Sequence, residues 1–264
     1  MFKCVFLGIV QGITEFLPVS SSGHLVLFQH YLGFQGPATF FDALLHLGTL
    51  AAVIILYRSR INNLLTSLTD PKDKYHRYLW LLVVGTIPIA IVGFLARDKV
   101  RQAFESPLAA GIGLLITGTV LLLAHRVKSA DREYEDMGFM DAISIGLAQI
   151  LALLPGISRS GITISAGLFK RFNSSYAAEF SFLLMIPSVL GATVLEITDS
   201  LTSPALILAR LPSYLVGTLV ATVTGIIAIK FLLSVLKKGR LELFGFYCLS
   251  VGSIIVILRL TPFG

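Results

Sequence analysis

The sequence predicts an all-α integral membrane protein: six transmembrane helices plus two re-entrant helix-break-helix segments related as an inverted-topology repeat. Three observations predict it. Of 264 residues, 55% are hydrophobic and only 14% charged, against about 25% charged in a soluble domain, and mean hydropathy is +0.83. Long runs with few charges recur along the whole chain, so lipid is the expected solvent. Two shorter apolar stretches end at Pro, Ser and Gly, and these two resemble each other. The longest polar stretches, 58–76 and 126–137, are of loop size. The chain therefore reads as a single membrane domain over 1–264, with repeat one at about 1–126 and repeat two at about 139–264.

The first apolar stretch, 4–19, is 16 residues long, short of the ~20 that a spanning helix needs. It stops at Pro18 and runs into Ser20, Ser21, Ser22 and Gly23. Proline lacks a donor and clashes with the preceding turn, and serine caps the helix that follows. The segment therefore reads as helix, break, second helix. It could pass for a signal peptide, but it meets Gln11, Glu15 and a Pro-Ser turn instead of a small-residue cleavage site, so it is expected to be retained. Three full spans follow, at 39–57, 78–96 and 107–125. The second short stretch, 142–157, again has 16 residues and ends at Pro155, Gly156, Ser158, Ser160 and Gly161. Spans at 178–198, 212–236 and 241–260 complete the set.

A shift of 138 residues aligns Gly8 with Gly146, Gln11 with Gln149, Ser20 with Ser158, Ser22 with Ser160 and Gly23 with Gly161. Pro18 and Pro155 are out by one. With three spans between the copies, the second enters the membrane from the opposite side, as in inverted repeats whose broken helices meet near the midplane. Lys and Arg set the orientation. Loops at 58–77, 126–132, 170–171 and 237–240 hold 13 of them, and the opposite set, with Lys3, 97–101, Arg210 and Arg259, holds 6. The richer side is expected in the cytoplasm and both termini outside. That asymmetry also explains the net charge of +6; no nucleic-acid partner is expected, because no soluble fold presents a basic cluster. Cys4 and Cys248 lie in apolar surroundings with neither metal nor disulfide spacing, and read as packing residues.

Arg159 and Lys230 fall within the membrane. Lys230 is expected to snorkel. Arg159 sits in Pro155-Gly-Ile-Ser-Arg-Ser-Gly-Ile-Thr163, and an intramembrane Arg needs a cavity and a partner. The first break supplies Gln11 and Glu15 on one helix face, then Ser20, Ser21, Ser22 and His24. Helix N-termini, hydroxyls, a close backbone at glycine and a planar guanidinium together suit a phosphate headgroup. Asp42 and His46, one turn apart, could face the cavity or bind a metal, and a supporting polar contact is the favoured expectation; Glu179 and Glu196 lie near span ends and read as structural.

At these residues the chain resembles the undecaprenyl-diphosphate phosphatase family, the bacitracin-resistance proteins. Its signatures, Glu/Gln-x-x-x-Glu running into Pro-Val-Ser-Ser-x-Gly-His and Pro-Gly-x-Ser-Arg-Ser-x-x-Thr, stand here at Gln11–His24 and Pro155–Thr163, and Ala178-Glu-Phe-Ser-Phe-Leu-Leu also fits. Gln11 stands where many relatives have Glu. The resemblance implies a phosphoric anhydride hydrolase that turns undecaprenyl diphosphate into undecaprenyl phosphate and inorganic phosphate, recycling the carrier lipid for cell-wall polymers and conferring bacitracin resistance. It implies a multi-pass protein of the bacterial cytoplasmic membrane, with the active site opening on the outer face. The expected catalytic residues are Glu15, Ser21, His24 and Arg159. Gln11, Ser20, Ser22, Ser158, Ser160 and Thr163 would bind substrate. A divalent cation, Mg or Ca, held by Glu15 with phosphate oxygens is admitted, although no ligand cluster demands it; no organic cofactor is expected. The partners are a polyprenyl diphosphate lipid and the bilayer, with a homodimer left open. Broken helices in an inverted repeat by themselves favour a polyprenyl-phosphate transporter or flippase, and phosphate release in detergent separates the two readings.

Overall fold

The computed structural model describes residues 1–34, 38–104, 106–127, 132–200 and 204–260. Among these it is helical, the single extended pairing being an isolated bridge between Arg132 and Phe172. Lys128, counted above among the loop charges, lies outside the described residues.

The first stretch forms α1 (Phe2–Phe16), a break, and α2 (Ser21–Tyr31). Then come α3 (Ala38–Leu56), the short α4 (Arg58–Thr66), α5 (Lys74–Leu95), the short α6 (Arg97–Phe104) and α7 (Pro107–His125). The second short stretch forms α8 (Phe139–Gln149), a 3-10 turn over Ile150–Leu153, and α9 (Arg159–Phe169). Three long helices end the fold: α10 (Ser174–Ser200), α11 (Pro204–Lys237) and α12 (Glu242–Leu260). Six of these helices are long and apolar enough to cross a membrane: α3, α5, α7, α10, α11 and α12. This matches the six expected spans. Three helices start a turn or more earlier than expected, α5 at Lys74, α10 at Ser174 and, by most, α11. The helix expected to begin at Pro212 begins at Pro204, and Pro212 lies inside it. A proline at a helix's first residue loses no bond, and one further in is tolerated where neighbours satisfy the freed carbonyl.

Large apolar side chains face outward on the long helices, Leu219, Ile227 and Phe231 on α11 and Ile254 and Ile257 on α12 among them. Such a surface suits hydrocarbon and would aggregate in water. The interior is closed by aromatic and aliphatic side chains, with Phe16 edge-on to Phe182 at 5.6 Å between α1 and α10.

Polar contacts sort the loops into two ends. At one end Arg60 Nε meets Glu179 Oε1 at 2.7 Å, Lys74 meets Glu135, His125 meets Glu242 at 3.1 Å, and Arg132 donates to the Lys170 carbonyl. At the other, Lys3 donates to the Gly33 carbonyl at 2.9 Å and Arg97 to that of Leu195. The start of α1 and the end of α2 thus meet at one end. Asp141 at the start of α8 approaches Lys170, which caps α9, at 3.9 Å at the opposite end.

Helix neighbours follow a related scheme. α1 packs on α11 and α8 on α5; α3 packs on α11 and α10 on α5; α3 meets α10, and α7 meets α12. Close approach needs glycine. A Cβ on Gly113 of α7 would run into the Pro155 carbonyl oxygen, and one on Gly156 into that of Ala110. Gly156 also has φ +81°, a conformation that only glycine adopts without strain.

Candidate active site

The two breaks are built alike. Ser20 caps α2 and accepts from the Gly23 N–H at 3.4 Å; Ser158 caps α9 and accepts from Gly161 N–H at 3.1 Å. Ser20 Oγ lies 3.3 Å from Ser22 Oγ, and Ser158 Oγ lies 3.2 Å from Ser160 Oγ. These are the pairs that the 138-residue shift aligns. The breaks also touch: a Cβ on Gly161 would come within 3.2 Å of Pro18 Cβ, and one on Gly23 within 3.8 Å of Gly156 Cα. Both helix N-termini, with their unpaired N–H groups, therefore converge on one place.

Each break is clasped by a long helix that lies outside it. Thr117 on α7 donates to the Gly156 carbonyl at 3.1 Å and accepts from Ser158 N–H at 3.0 Å. Cys248 on α12 donates its thiol to the Pro18 carbonyl at 3.4 Å. Cys248 is buried, as its apolar surroundings suggest, and holds a turn as well as filling space.

Glu15 is the hub. Its Oε1 accepts from Arg159 Nη2 at 2.9 Å, and its Oε2 accepts from Ser21 Oγ at 2.6 Å and from Gln11 Nε2 at 3.1 Å. Arg159 Nη1 donates to the Ser181 carbonyl at 3.1 Å. The intramembrane arginine thus has a carboxylate partner, with side chains 13% and 7% exposed. Removing one partner of such a buried pair typically costs ~3–5 kcal/mol. Gln11 is fully buried, and its Oε1 has no partner among the described residues, leaving a free acceptor beside Glu15. Thr163, buried, shares a 2.6 Å hydrogen bond with Ser181 Oγ behind Arg159.

Of the expected residues, Gln11, Glu15, Ser21 and Arg159 form one hydrogen-bonded group. Ser20, Ser22, Ser158 and Ser160 form the rims of the two breaks, and Thr163 braces α9. His24 is held elsewhere. Its Nδ1 lies 2.8 Å from the Ser20 carbonyl and its Nε2 2.7 Å from Tyr247 Oη. A carbonyl only accepts, so Nδ1–H donates and Nε2 accepts from the tyrosine. His24 therefore locks Ser20, a non-glycine residue at φ +69°, a conformation costing ~1–3 kcal/mol that surrounding contacts must enforce. The strained residue immediately precedes Ser21.

Sequence reasoning missed Thr117, Ser181 and Tyr247. Ser181 lies in the Ala178-Glu-Phe-Ser stretch that carries the resemblance, which is a usable signal. Thr117 and Tyr247 sit in ordinary apolar spans and offer none. Asp42 and His46 do supply polar contacts: Gln29 Nε2 donates to Asp42 Oδ1 at 2.6 Å, and His46 Nε2 stands 3.8 Å from Glu15 Oε2. Glu179 is structural, paired with Arg60.

The profile of the family described as Bacitracin resistance protein BacA matches residues 4–254. The chain is 42% identical over 259 residues to the undecaprenyl-diphosphatase of Carboxydothermus hydrogenoformans, covering 98% of this chain and 97% of that protein. It is 42% identical over 259 residues to the undecaprenyl-diphosphatase of Halothermothrix orenii, with 98% of both chains covered. With that of Alkaliphilus metalliredigens the identity is 43% over 272 residues, again covering 98% of each.

Proposed function

Because the chain belongs to the bacitracin resistance protein BacA family, we propose that it is an undecaprenyl-diphosphatase, hydrolysing undecaprenyl diphosphate to undecaprenyl phosphate and inorganic phosphate and so recycling the carrier lipid and conferring bacitracin resistance. The observation that carries this is the contact of Ser21, Glu15 and Arg159 across the two breaks, at 2.6 and 2.9 Å. It joins a hydroxyl, a base and an anion-gripping fork where two helix N-termini meet.

In this reading the terminal phosphate sits against the two capped N-termini. Arg159 stabilises charge on its oxygens, the main demand of phosphoryl transfer. Ser21 attacks and Glu15 draws off its proton. Gln11, Ser20, Ser22, Ser158 and Ser160 orient the headgroup, and Thr163 keeps Arg159 in line. His24 acts through the Ser20 turn. Among the described residues no three acidic, His or Cys side chains gather as a metal site. Glu15 is the carboxylate that Ser21 and Arg159 hydrogen-bond, so Mg or Ca would rest on it and chiefly on substrate phosphate oxygens, neutralising their charge.

The same reading extends to topology. The paired ends of α1 with α2 and of α8 with α9 support two re-entrant hairpins entering from opposite faces. The reciprocal helix pairs and reciprocal clasps support an inverted repeat in one membrane domain. The family supports a bacterial cytoplasmic membrane, and the charge asymmetry supports both termini and the pocket mouth lying outside. A transporter is not favoured, because a carrier needs no serine hydrogen-bonded to a carboxylate beside the anion site.

Phosphate release from a prenyl diphosphate by detergent-purified protein tests the proposal. Arg159→Ala should lower turnover at least ~100-fold, the typical loss of one transition-state donor. Near-normal release would remove Arg159 from the site. Ser21 should yield a trappable phosphoenzyme, and a fully active Ser21→Ala would make water the attacker.

A further inference from the structure

At the end of the fold where α1 begins and α2 finishes there is a cavity of about 540 Å³, and none of its lining residues belongs to the two breaks. Lys3 and Cys4 of α1, Phe34 just after α2, and Arg210, Ser213 and Tyr214 of α11 line it. The lining brings two cations and two hydroxyls together, with no carboxylate among the described residues. Lys3 uses one of its three donors on the Gly33 carbonyl, which leaves two. Tyr214 is 1% exposed, and its hydroxyl completes no hydrogen bond with a described residue, although the Arg210 guanidinium stands beside it. A buried hydroxyl left unpaired costs stability unless a ligand or water satisfies it. The ring itself is held firmly, stacked on Phe41 at 4.6 Å, and Phe34 stacks on Phe41 at 5.4 Å.

Depth along α11 points to the kind of ligand. Arg210 precedes Lys237, at the far end of the helix, by 27 residues, which is about 40 Å at 1.5 Å per residue. The hydrocarbon core is ~30 Å thick, so Arg210 stands at the level of the lipid headgroups. Lys3 and Arg210 also lie on the side that holds 6 Lys and Arg against 13. Basic residues are disfavoured there, so two of them around one cavity call for an anion. Toward the hydrocarbon, Leu215 and Leu219 of α11 are exposed, an apolar strip along which acyl chains would lie.

We infer that this cavity is a second anion site, holding a phosphate group at headgroup level between Lys3, Arg210, Ser213 and Tyr214. The phosphate is that of an anionic phospholipid or free inorganic phosphate. Arg210 offers a planar fork, Lys3 a point charge and the hydroxyls two further donors, a set that matches phosphate oxygens. Basic pockets between membrane helices take anionic headgroups in this way. A ligand here ties the start of α1 and the end of α2 to α11, the helix on which α1 packs. It thereby steadies the hairpin that carries Glu15 and Ser21 without touching either. The site does not depend on the phosphatase reading.

The test is thermal unfolding of the detergent-purified protein titrated with phosphatidylglycerol, with zwitterionic phosphatidylcholine, or with inorganic phosphate, in the wild type and in a Lys3→Gln, Arg210→Gln double variant. Anything bound at the two breaks is common to both proteins and cancels in the comparison. Phosphatidylglycerol or phosphate should raise the wild-type melting temperature saturably, and the double variant should need at least ~10-fold more ligand for the same rise. Phosphatidylcholine should act on both alike. A difference seen with phosphatidylglycerol alone assigns the site to a lipid headgroup; one seen with inorganic phosphate assigns it to the free ion as well. Equal responses of the two proteins to both anions overturn the inference. If the double variant does not melt cooperatively, Tyr214→Phe replaces it. Losing that one hydroxyl should weaken the response about threefold or more, and an unchanged response overturns the inference.

Discussion

A buried carboxylate with hydrogen bonds from arginine, serine and glutamine is stable only while its partners stay, and this governs behaviour at the scale of single residues. The Tyr247–His24–Ser20 chain is the sharpest case. Tyr247 touches neither Glu15 nor Arg159 in any contact described, yet its hydroxyl fixes the imidazole that holds Ser20 at φ +69°. Tyr247→Phe removes one hydrogen bond, worth ~0.5–1.5 kcal/mol in stability, so the fold should survive. The strained turn, however, loses its anchor. Turnover should fall about tenfold or more with little change in KM, since Ser21 is no longer presented to Glu15. Wild-type kcat in Tyr247→Phe would show that the turn holds itself. Ser21, Glu15 and Arg159 were legible from residue type and spacing. Tyr247 was not, because a tyrosine in an apolar span carries no mark of its distant partner.

Among the elements, the helix breaks depend on backbones that approach too closely for side chains. Gly156 combines a positive φ with the Ala110 carbonyl where its Cβ would stand, and Gly113 lies under Pro155 in the same way. Gly156→Ala should therefore destabilise by ~1–3 kcal/mol, the usual cost of overpacking, with the strain of φ +81° added. It should also reduce activity by displacing Ser158 and Arg159. Thermal unfolding in detergent reads the first effect and phosphate release the second; an unchanged melting temperature would refute the close packing. The existence and position of both breaks were legible, because Pro, Ser and Gly act on their own backbone. The ends were less so. The 3-10 turn at Ile150–Leu153 packs on α5, α8 and α9, contacts that no local pattern encodes, and α4 and α6 are short helices that hydropathy alone does not separate from loop.

For the molecule as a whole, loop charge and the two sets of end contacts agree on which loops share a face. Lys99, near the middle of α6, and Lys238, just after α11, are both exposed and belong to opposite ends. With cysteine at each in turn, a membrane-impermeant thiol reagent on intact cells should label the Lys99→Cys protein and spare Lys238→Cys. The native cysteines are buried and should stay silent. Labelling in the reverse order would turn the protein over and put the pocket mouth in the cytoplasm.

By itself the sequence determined that the chain is helical, that six helices are long and apolar enough to cross a membrane, and that two interrupted segments carry serine, glutamate and arginine. Each of these follows from local composition, since hydrocarbon selects apolar length and proline and serine break and cap their own helix. Tertiary structure alone decided that Arg159 pairs with Glu15 across 144 positions, that His24 turns to Tyr247, and that His46 faces the same carboxylate. Such contacts depend on how helices far apart in the chain come to lie together, and no local pattern encodes that.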